Sequence, residues 1–322
     1  MTFDQILGHS SQKEILRRAV RSRRLAHAYL FDGPAGIGKQ LVALALTRAV
    51  VCDAGTGCGN CVACRKVDHH NHPDLHLLEP DGASIKIEQI RDLQKELSYR
   101  PLEATKKICI IDSADRMNPA AGNALLKTLE EPSGDALIIL LSSHPERILP
   151  TIRSRSQRLP FQRLSQDLIK SVLVQQPGLD ATHAHILASL SEGSFKIALG
   201  KDHDLYLEQR KAIIRRISAL SINDIVPLFE LAQHLADNKE QLQDILEILQ
   251  IFYRDLLTYK HYAGEEQLVN IDLLEEIRRA AQRHDQRTLL DKLESLARTR
   301  RLLERNINRQ LAVENLLLEL AA

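Results

Sequence analysis

Two groups of residues in this chain have the types and spacing for chemistry. The first is Gly33-Pro34-Ala35-Gly36-Ile37-Gly38-Lys39-Gln40. A phosphate-binding loop reads Gly, four residues, Gly, Lys and then Ser or Thr. Gly33, Gly38 and Lys39 satisfy that pattern, and Gly36 adds another position without a Cβ. Glycines let successive main-chain N–H groups close around a phosphate, and a following helix adds its positive end. Lys39 would reach the outer phosphates as a point charge. Gln40 stands where a hydroxyl should hold magnesium. The loop is thus a cradle for ATP or ADP that lacks a metal ligand. It predicts poor binding, or binding without turnover.

The second group is Cys52, Cys58, Cys61 and Cys64, the last three forming two overlapping C-x-x-C steps. Four thiolates close a tetrahedral zinc site, whereas a redox thiol pair, the competing reading, needs only two. Gly55, Gly57 and Gly59 let the short loop wrap a metal. A site closed by four protein ligands is structural and not catalytic. His69, His70, His72 and His76 follow; one of them could stand in as a ligand, but they read as solvated loop histidines. Cys109 falls in an apolar run and reads as core.

The elements that must position these residues are also legible. Ala28 to Phe31 is a short apolar run, suited to a buried parallel strand, and Leu41 to Val51 is an Ala-rich helix without a breaker. Strand, Gly-rich loop and helix is the setting a phosphate loop requires. Lys107 to Ile111 is a second buried run that ends on Asp112. Such a strand delivers a carboxylate to magnesium beside the phosphate loop, with a second acid next to position water. Here Ser113 occupies that second position. Gln40 and Ser113 are two losses at linked places, and they point to a nucleotide-binding fold that has given up hydrolysis. Asn118 and Pro119 open a helix that Pro132 and Gly134 end. Ala136 to Leu141 is another strand. The polar tip Ser142-Ser143 reads either as a reporter on a γ-phosphate or as a strand-end turn.

The length of 322 residues leaves room for two or three domains. A net charge of +1 excludes a global basic signature, so any contact with DNA must be local. No apolar run reaches the length of a membrane span, and Met1 to Leu7 lacks the regions of a signal peptide. A soluble, cytoplasmic chain is expected. Asp180 caps a helix to Leu190. From about residue 205 the pattern is helical throughout, with Ile245, Leu246, Leu249, Phe252, Tyr253 and Leu256 on one stripe and Leu289, Leu293 and Leu296 on another. Leu302, Leu303, Ile307 and Leu311 continue it. Arg298, Arg300, Arg301, Arg305 and Arg309 form a basic stretch that could meet DNA phosphate or an acidic partner, and read first as a solvated helix face.

One family combines these features. His27 to Phe31 precedes the cradle, and the four-cysteine insert follows the loop helix directly. Asn123 to Pro132, Pro145-Glu146-Arg147 and Arg153-Ser154-Arg155 come after. Together they resemble the AAA+ clamp-loader subunits of bacterial DNA polymerase III, strongly over the first half of the chain and only by length and helical character over the second. The resemblance implies an α/β AAA+ P-loop domain with a parallel sheet at 1–162, carrying a zinc module at 52–64. It also implies a small helical lid domain at 163–204 and an all-α collar domain at 205–322.

The family's Ser-Arg-Cys motif gives an arginine finger to ATP on a neighbouring subunit. Here it reads Ser154-Arg155-Ser156, which casts Arg155 in that role. Lys196 falls where active family members carry an arginine in the lid. The degenerate nucleotide site then comprises Gly33, Gly36, Gly38, Lys39, Gln40, Asp112 and Lys196, and the zinc ligands are Cys52, Cys58, Cys61 and Cys64, the first after a short gap. Implied partners are delta and gamma/tau subunits in a hetero-pentamer, the sliding clamp indirectly, and primed DNA through the complex. The implied role is helping to load the clamp as a component of the polymerase III holoenzyme, with the chain's own hydrolysis absent or slight. The alternatives are an ATP-hydrolysing gamma/tau-type subunit and a stand-alone AAA+ helicase or remodeller.

Overall fold

Uninterrupted apolar runs become the centre of a parallel sheet. The computed structural model describes residues 2–131, 135–200, 203–262, 267–305 and 307–321. Its strands are β1 (Ala28–Asp32), β2 (Leu75–Leu78), β3 (Lys107–Ile111), β4 (Ala136–Ser142) and β5 (Gln157–Pro160). They lie in the order β2-β3-β4-β1-β5, every neighbouring pair parallel. The register sets Tyr29 beside Ile139 on one side and Gln157 on the other. β1, β3 and β4 are buried along their whole length, as strands covered on both faces must be.

The alternation of a strand sorts each run onto two faces. Tyr29, Phe31, Ile108, Ile110, Ile139 and Leu141 share one core with Leu16 of α1 (Ser10–Arg21) and with Val42 and Leu46 of α2 (Lys39–Val51). After α2 comes α3 (Val62–Asp68). The opposite face of the sheet, with Leu30, Cys109, Ile111, Ile138 and Leu140, packs on Ile90 and Leu93 of α4 (Ile87–Ser98) and on Leu125 and Leu129 of α5 (Pro119–Glu130). Asn118 Oδ1 accepts from the Ala121 N–H at 2.8 Å and Pro119 takes the first turn, so α5 starts where its sequence predicts. It ends at Glu130. Pro132 and Gly134, expected to stop it, lie outside the described residues. Then comes the short α6 (Pro150–Ser154).

The histidines after the cysteines correct one expectation. His69 and His70 are exposed, but His72 is only 3 % exposed and His76 is half-buried within β2. The cause is Asp74, which is fully buried and accepts the N–H groups of Leu102, Glu103 and Ala104 at 2.7–2.8 Å. His72 Nδ1 accepts the Asp74 N–H at 3.2 Å, which draws the ring inward at the entry to β2.

Contacts divide the chain into two units: Met1–Ile169 with Ser191–Leu199, and Lys170–Leu190 with Gly200–Ala322. Between β5 and the end of the first unit run α7 (Gln166–Leu173), α8 (Ala181–Leu190) and α9 (Phe195–Leu199). Asp180 Oδ1 accepts the His183 N–H at 2.7 Å and so caps α8. The second unit continues as helices α10 (His203–Ser218), α11 (Ile225–Asp237), α12 (Lys239–Tyr262), α13 (Leu274–Arg283), α14 (Gln286–Glu304) and α15 (Arg309–Ala321). α12 packs on α13 and α14, and α15 on α11 and α14. The stripe from Ile245 to Leu256 is buried as expected. The stripe continuing through Ile307 and Leu311 is not: Leu303 is buried, whereas Ile307 and Leu311 are exposed. α14 ends at Glu304 and α15 begins at Arg309, so the helical phase restarts between them. The basic residues from Arg298 to Arg309 are exposed, Arg298 pairing with Glu319. Among the described residues no helix is long and apolar enough to cross a membrane.

A buried polar network ties this second unit together. Arg210 donates to Asn270 Oδ1 and, at 2.5 Å, to Asp272 Oδ2. Asn270 donates from its backbone and its side chain to Asp255 Oδ2, at 2.8 and 2.7 Å. Asp255 is 0 % exposed, and burial raises its carboxyl pKa above 3.8 despite these donors and the nearby Arg254. A raised acid pKa favours the fold most below the unfolded value, and that contribution is lost as pH rises through the folded value. Asp255→Asn keeps the acceptor and removes the charge. It is expected to flatten the decline in denaturation midpoint as pH rises above the ordinary carboxylate value, measured by urea unfolding.

Candidate nucleotide cradle and cysteine centre

All five strands point their C-terminal ends the same way, and the sequence-predicted cradle follows the end of β1. Gly38 caps α2 and Lys39 opens it. Gly36 has φ +74°, and a Cβ there would lie 2.2 Å from Ser194 Oγ and 2.9 Å from Lys196 Cβ. The lid-like segment therefore rests directly on the loop, which only glycine allows. The contact is through backbone: the Lys196 N–H reaches the Gly36 carbonyl at 3.4 Å, and the Lys196 side chain is exposed. Gln40 is exposed as well.

Lys39 is 8 % exposed, and its Nζ donates to the loop's own carbonyls, Gly33 at 2.5 Å and Pro34 at 2.6 Å. Burial lowers its pKa, opposed by the charges of Asp112, Asp115 and Asp32. Asp112 follows β3, as its sequence position predicts. Ser113, at the altered position, is in the left-handed region (φ 52°) and donates to Asp112 Oδ1 at 3.3 Å. Ser142 donates its hydroxyl to Asp115 at 2.8 Å, and the Ser143 N–H joins it at 3.0 Å. Ser142 is buried, so the polar tip of β4 is anchored as a strand-end turn.

Four residues of this cluster were not singled out by the sequence. Asp32 pairs with Arg158 of β5 at 2.5 Å. Asp115 and Ser194 act as just described. His9 donates from Nε2 to the Ile37 carbonyl at 2.7 Å, and its ring meets Phe161 edge-on. Burial holds the His9 imidazole below its usual range, and the charges of Lys13 and Lys39 add to this against the Ile37 carbonyl. The one local signal for His9 is the Gly8-His9 pair before α1, where both residues have positive φ.

Arg155 caps the end of α6 and is exposed. Its Nη2 meets Glu130 at the end of α5 at 2.8 Å, and its Nη1 reaches the Thr151 carbonyl at 3.4 Å. α6 is seated by buried Ile152 against α5. Arg155 is thus presented from a packed element with its side chain exposed and its guanidinium resting on Glu130 and the Thr151 carbonyl.

The cysteine centre lies at the other end of α2, where Cys52 is the cap. The sulfurs of Cys52, Cys58, Cys61 and Cys64 all lie within 4.8 Å of one another. A tetrahedral zinc with Zn–S bonds of about 2.3 Å requires sulfurs about 3.8 Å apart, so the set fits zinc. Cys61 caps α3, its Sγ accepting the Cys64 N–H at 3.4 Å. Burial opposes ionisation of Cys52, but N–H donors from Cys58, Ala54 and Thr56 bring its pKa to about 6. Burial pushes Cys64 up to about 12. Cys52, with its short gap, is a full member of the set. No histidine belongs to it, and Cys109 is core, its pKa raised by burial.

Two family models match the chain: one described as DNA polymerase III, delta subunit, over residues 8–165, and one as its C-terminal part, over 204–322. The chain is 35% identical to the DNA polymerase III subunit delta' of Bacillus subtilis, covering 95% of this chain and 94% of that one. It is 33% identical to the subunit delta' of Pseudomonas aeruginosa, covering 92% of each. Its match to the B. subtilis subunit tau is 30% identical and spans 82% of this chain but 51% of tau. Agreement over nearly the whole length of delta', against 51% of tau, supports the delta' type over the tau type. The chain belongs to the DNA polymerase III subunit delta' family.

Proposed function

We propose that this chain works in the clamp loader as a partner to ATPase subunits and not as an ATPase itself. It stacks with delta and gamma/tau subunits in a hetero-pentamer, offers Arg155 to a neighbour's ATP, and helps load the sliding clamp onto primed DNA in the cytoplasm. The observation that carries this reading is a division within one domain. Arg155 is exposed on a packed helix end, while Gln40 and Ser113 occupy the chain's own metal and water positions.

The geometry supports these roles. An arginine supplied in trans stabilises charge developing on the transferred phosphoryl group, and its planar fork suits phosphate oxygens. Glu130 and the Thr151 carbonyl hold one edge of Arg155. The cradle keeps its shape through its own contacts: Lys39 on Gly33 and Pro34, His9 on Ile37, and the lid segment on Gly36. We read it as an architectural site whose capacity for ATP or ADP is slight. Zinc on Cys52, Cys58, Cys61 and Cys64, when bound, supplies a structural cross-link.

Steady-state hydrolysis by the purified chain, with and without primed DNA, tests this directly. Turnover is expected to lie at least about 100-fold below the median enzyme rate near 10 s⁻¹. Robust DNA-stimulated turnover that Lys39→Ala abolishes would return the chain to the ATPase class.

A further inference from the structure

Arg48 is a buried charge that the clamp-loading role does not use. It lies in the last turn of α2 and is 5 % exposed. A guanidinium stays protonated in proteins, and an unpaired one is expensive to bury. Its Nη2 is ion-paired with Asp68, the last residue of α3. Asp68 supplies one negative charge from a position about a third exposed. The cysteine loop also lies against Arg48. Gly57 (φ +67°) packs on it so closely that a Cβ there would lie 3.3 Å from Arg48 Cβ and 3.1 Å from the Ala49 nitrogen. The Arg48 carbonyl accepts the Cys52 N–H at 2.9 Å; burial lowers the guanidinium's pKa, and negative charge on Cys64 opposes that shift.

Four thiolates around a divalent zinc leave an excess of about two negative charges. Two of the four cysteines, Cys52 and Cys64, are buried, and negative charge on that side needs a counter-charge close by, because little solvent is there to screen it. The Arg48 guanidinium is the buried cation placed against this loop. We propose that Arg48 is the counter-charge of the tetrathiolate centre, with Asp68 only holding the guanidinium in place through a contact that an uncharged amide can replace. The inference rests on the zinc reading above. It gives Arg48 a job distinct from joining two helices: it sets how tightly the metal is held. Because α2 starts at Lys39 and is capped by Cys52, the same contact ties metal occupancy to the helix that carries the cradle lysine.

Zinc competition against a colorimetric chelator, run on the full chain, separates the outcomes. Cobalt absorption serves as a second readout of tetrahedral thiolate geometry. Arg48→Met is expected to weaken zinc by roughly 10–100-fold, the range that partners outside the ligand set carry. Arg48→Lys should recover part of that loss through its charge. Asp68→Asn removes an anion but leaves the guanidinium, so zinc affinity should hold or tighten. A simple helix-to-helix clamp predicts the opposite pattern, with Arg48→Met and Asp68→Asn weakening zinc equally. That equality, or an Arg48→Met protein that binds zinc as wild type does, overturns the proposal. Should Arg48→Met fail to fold, Asp68→Asn decides alone: retained affinity supports the proposal and lost affinity ends it. Wild-type protein that binds no zinc would instead sink the zinc reading itself.

Discussion

Replacing Arg155 by alanine is expected to cut hydrolysis at the ATP site it faces by about 1,000-fold, the lower end of what an arginine finger contributes. The steady-state ATPase of a reconstituted complex should fall by at least the share of that site, while nucleotide binding changes little. The reasoning starts from placement. Arg155 is exposed, held on one edge by Glu130 and carried by a helix seated on buried Ile152. The substitution removes little packing, so the complex should still assemble. Arg155→Lys should fail to restore the rate, since lysine keeps the charge but loses the fork. Single-turnover hydrolysis in mixed complexes measures the effect. An unchanged rate would make Arg155 a structural residue paired with Glu130 and nothing more.

The second large effect is expected at the cysteine centre. Cys64→Ser should weaken zinc by more than the roughly 100-fold that outer partners can carry, because it removes a ligand outright. Cys64 is fully buried, and its N–H also forms the cap of α3 with Cys61. In a loop this short, metal binding free energy is folding free energy. Amide exchange should therefore rise across α3 and the last turn of α2, and the thermal midpoint should fall. The same changes should follow chelation of the wild type. Zinc content by elemental analysis and exchange by mass spectrometry check both, and a serine variant with full zinc stoichiometry would remove Cys64 from the set.

Where the sequence could be read, one physical rule usually dominated. β1, β3 and β4 are covered on both faces, so burial writes itself as an unbroken apolar run. The cradle and the cysteine set depend on local spacing, so residue types a few positions apart suffice. What stayed hidden depends on distance along the chain. His9 meets Ile37 across 28 residues, and Arg158 reaches Asp32 across 126. No periodicity announces such pairs. His72 looked like loop because its neighbours are polar, yet Asp74 draws it inward by binding the chain at Leu102 to Ala104. Ile307 and Leu311 continued a stripe on paper, but the helix that would have buried them ends at Glu304.

The outer strand β5 carries one more consequence. It is four residues long, and Gln157, Arg158 and Pro160 are exposed along it. An open sheet edge invites pairing with any other strand, and shortness, charge and proline all discourage it. If the chain joins unlike neighbours, as proposed, it must also meet copies of itself without pairing edge to edge. Its sheet edge is guarded against that company. The charge of Arg158 is pinned in place by Asp32 at the root of the cradle, so the residue that shields the edge also closes the end of its neighbour β1.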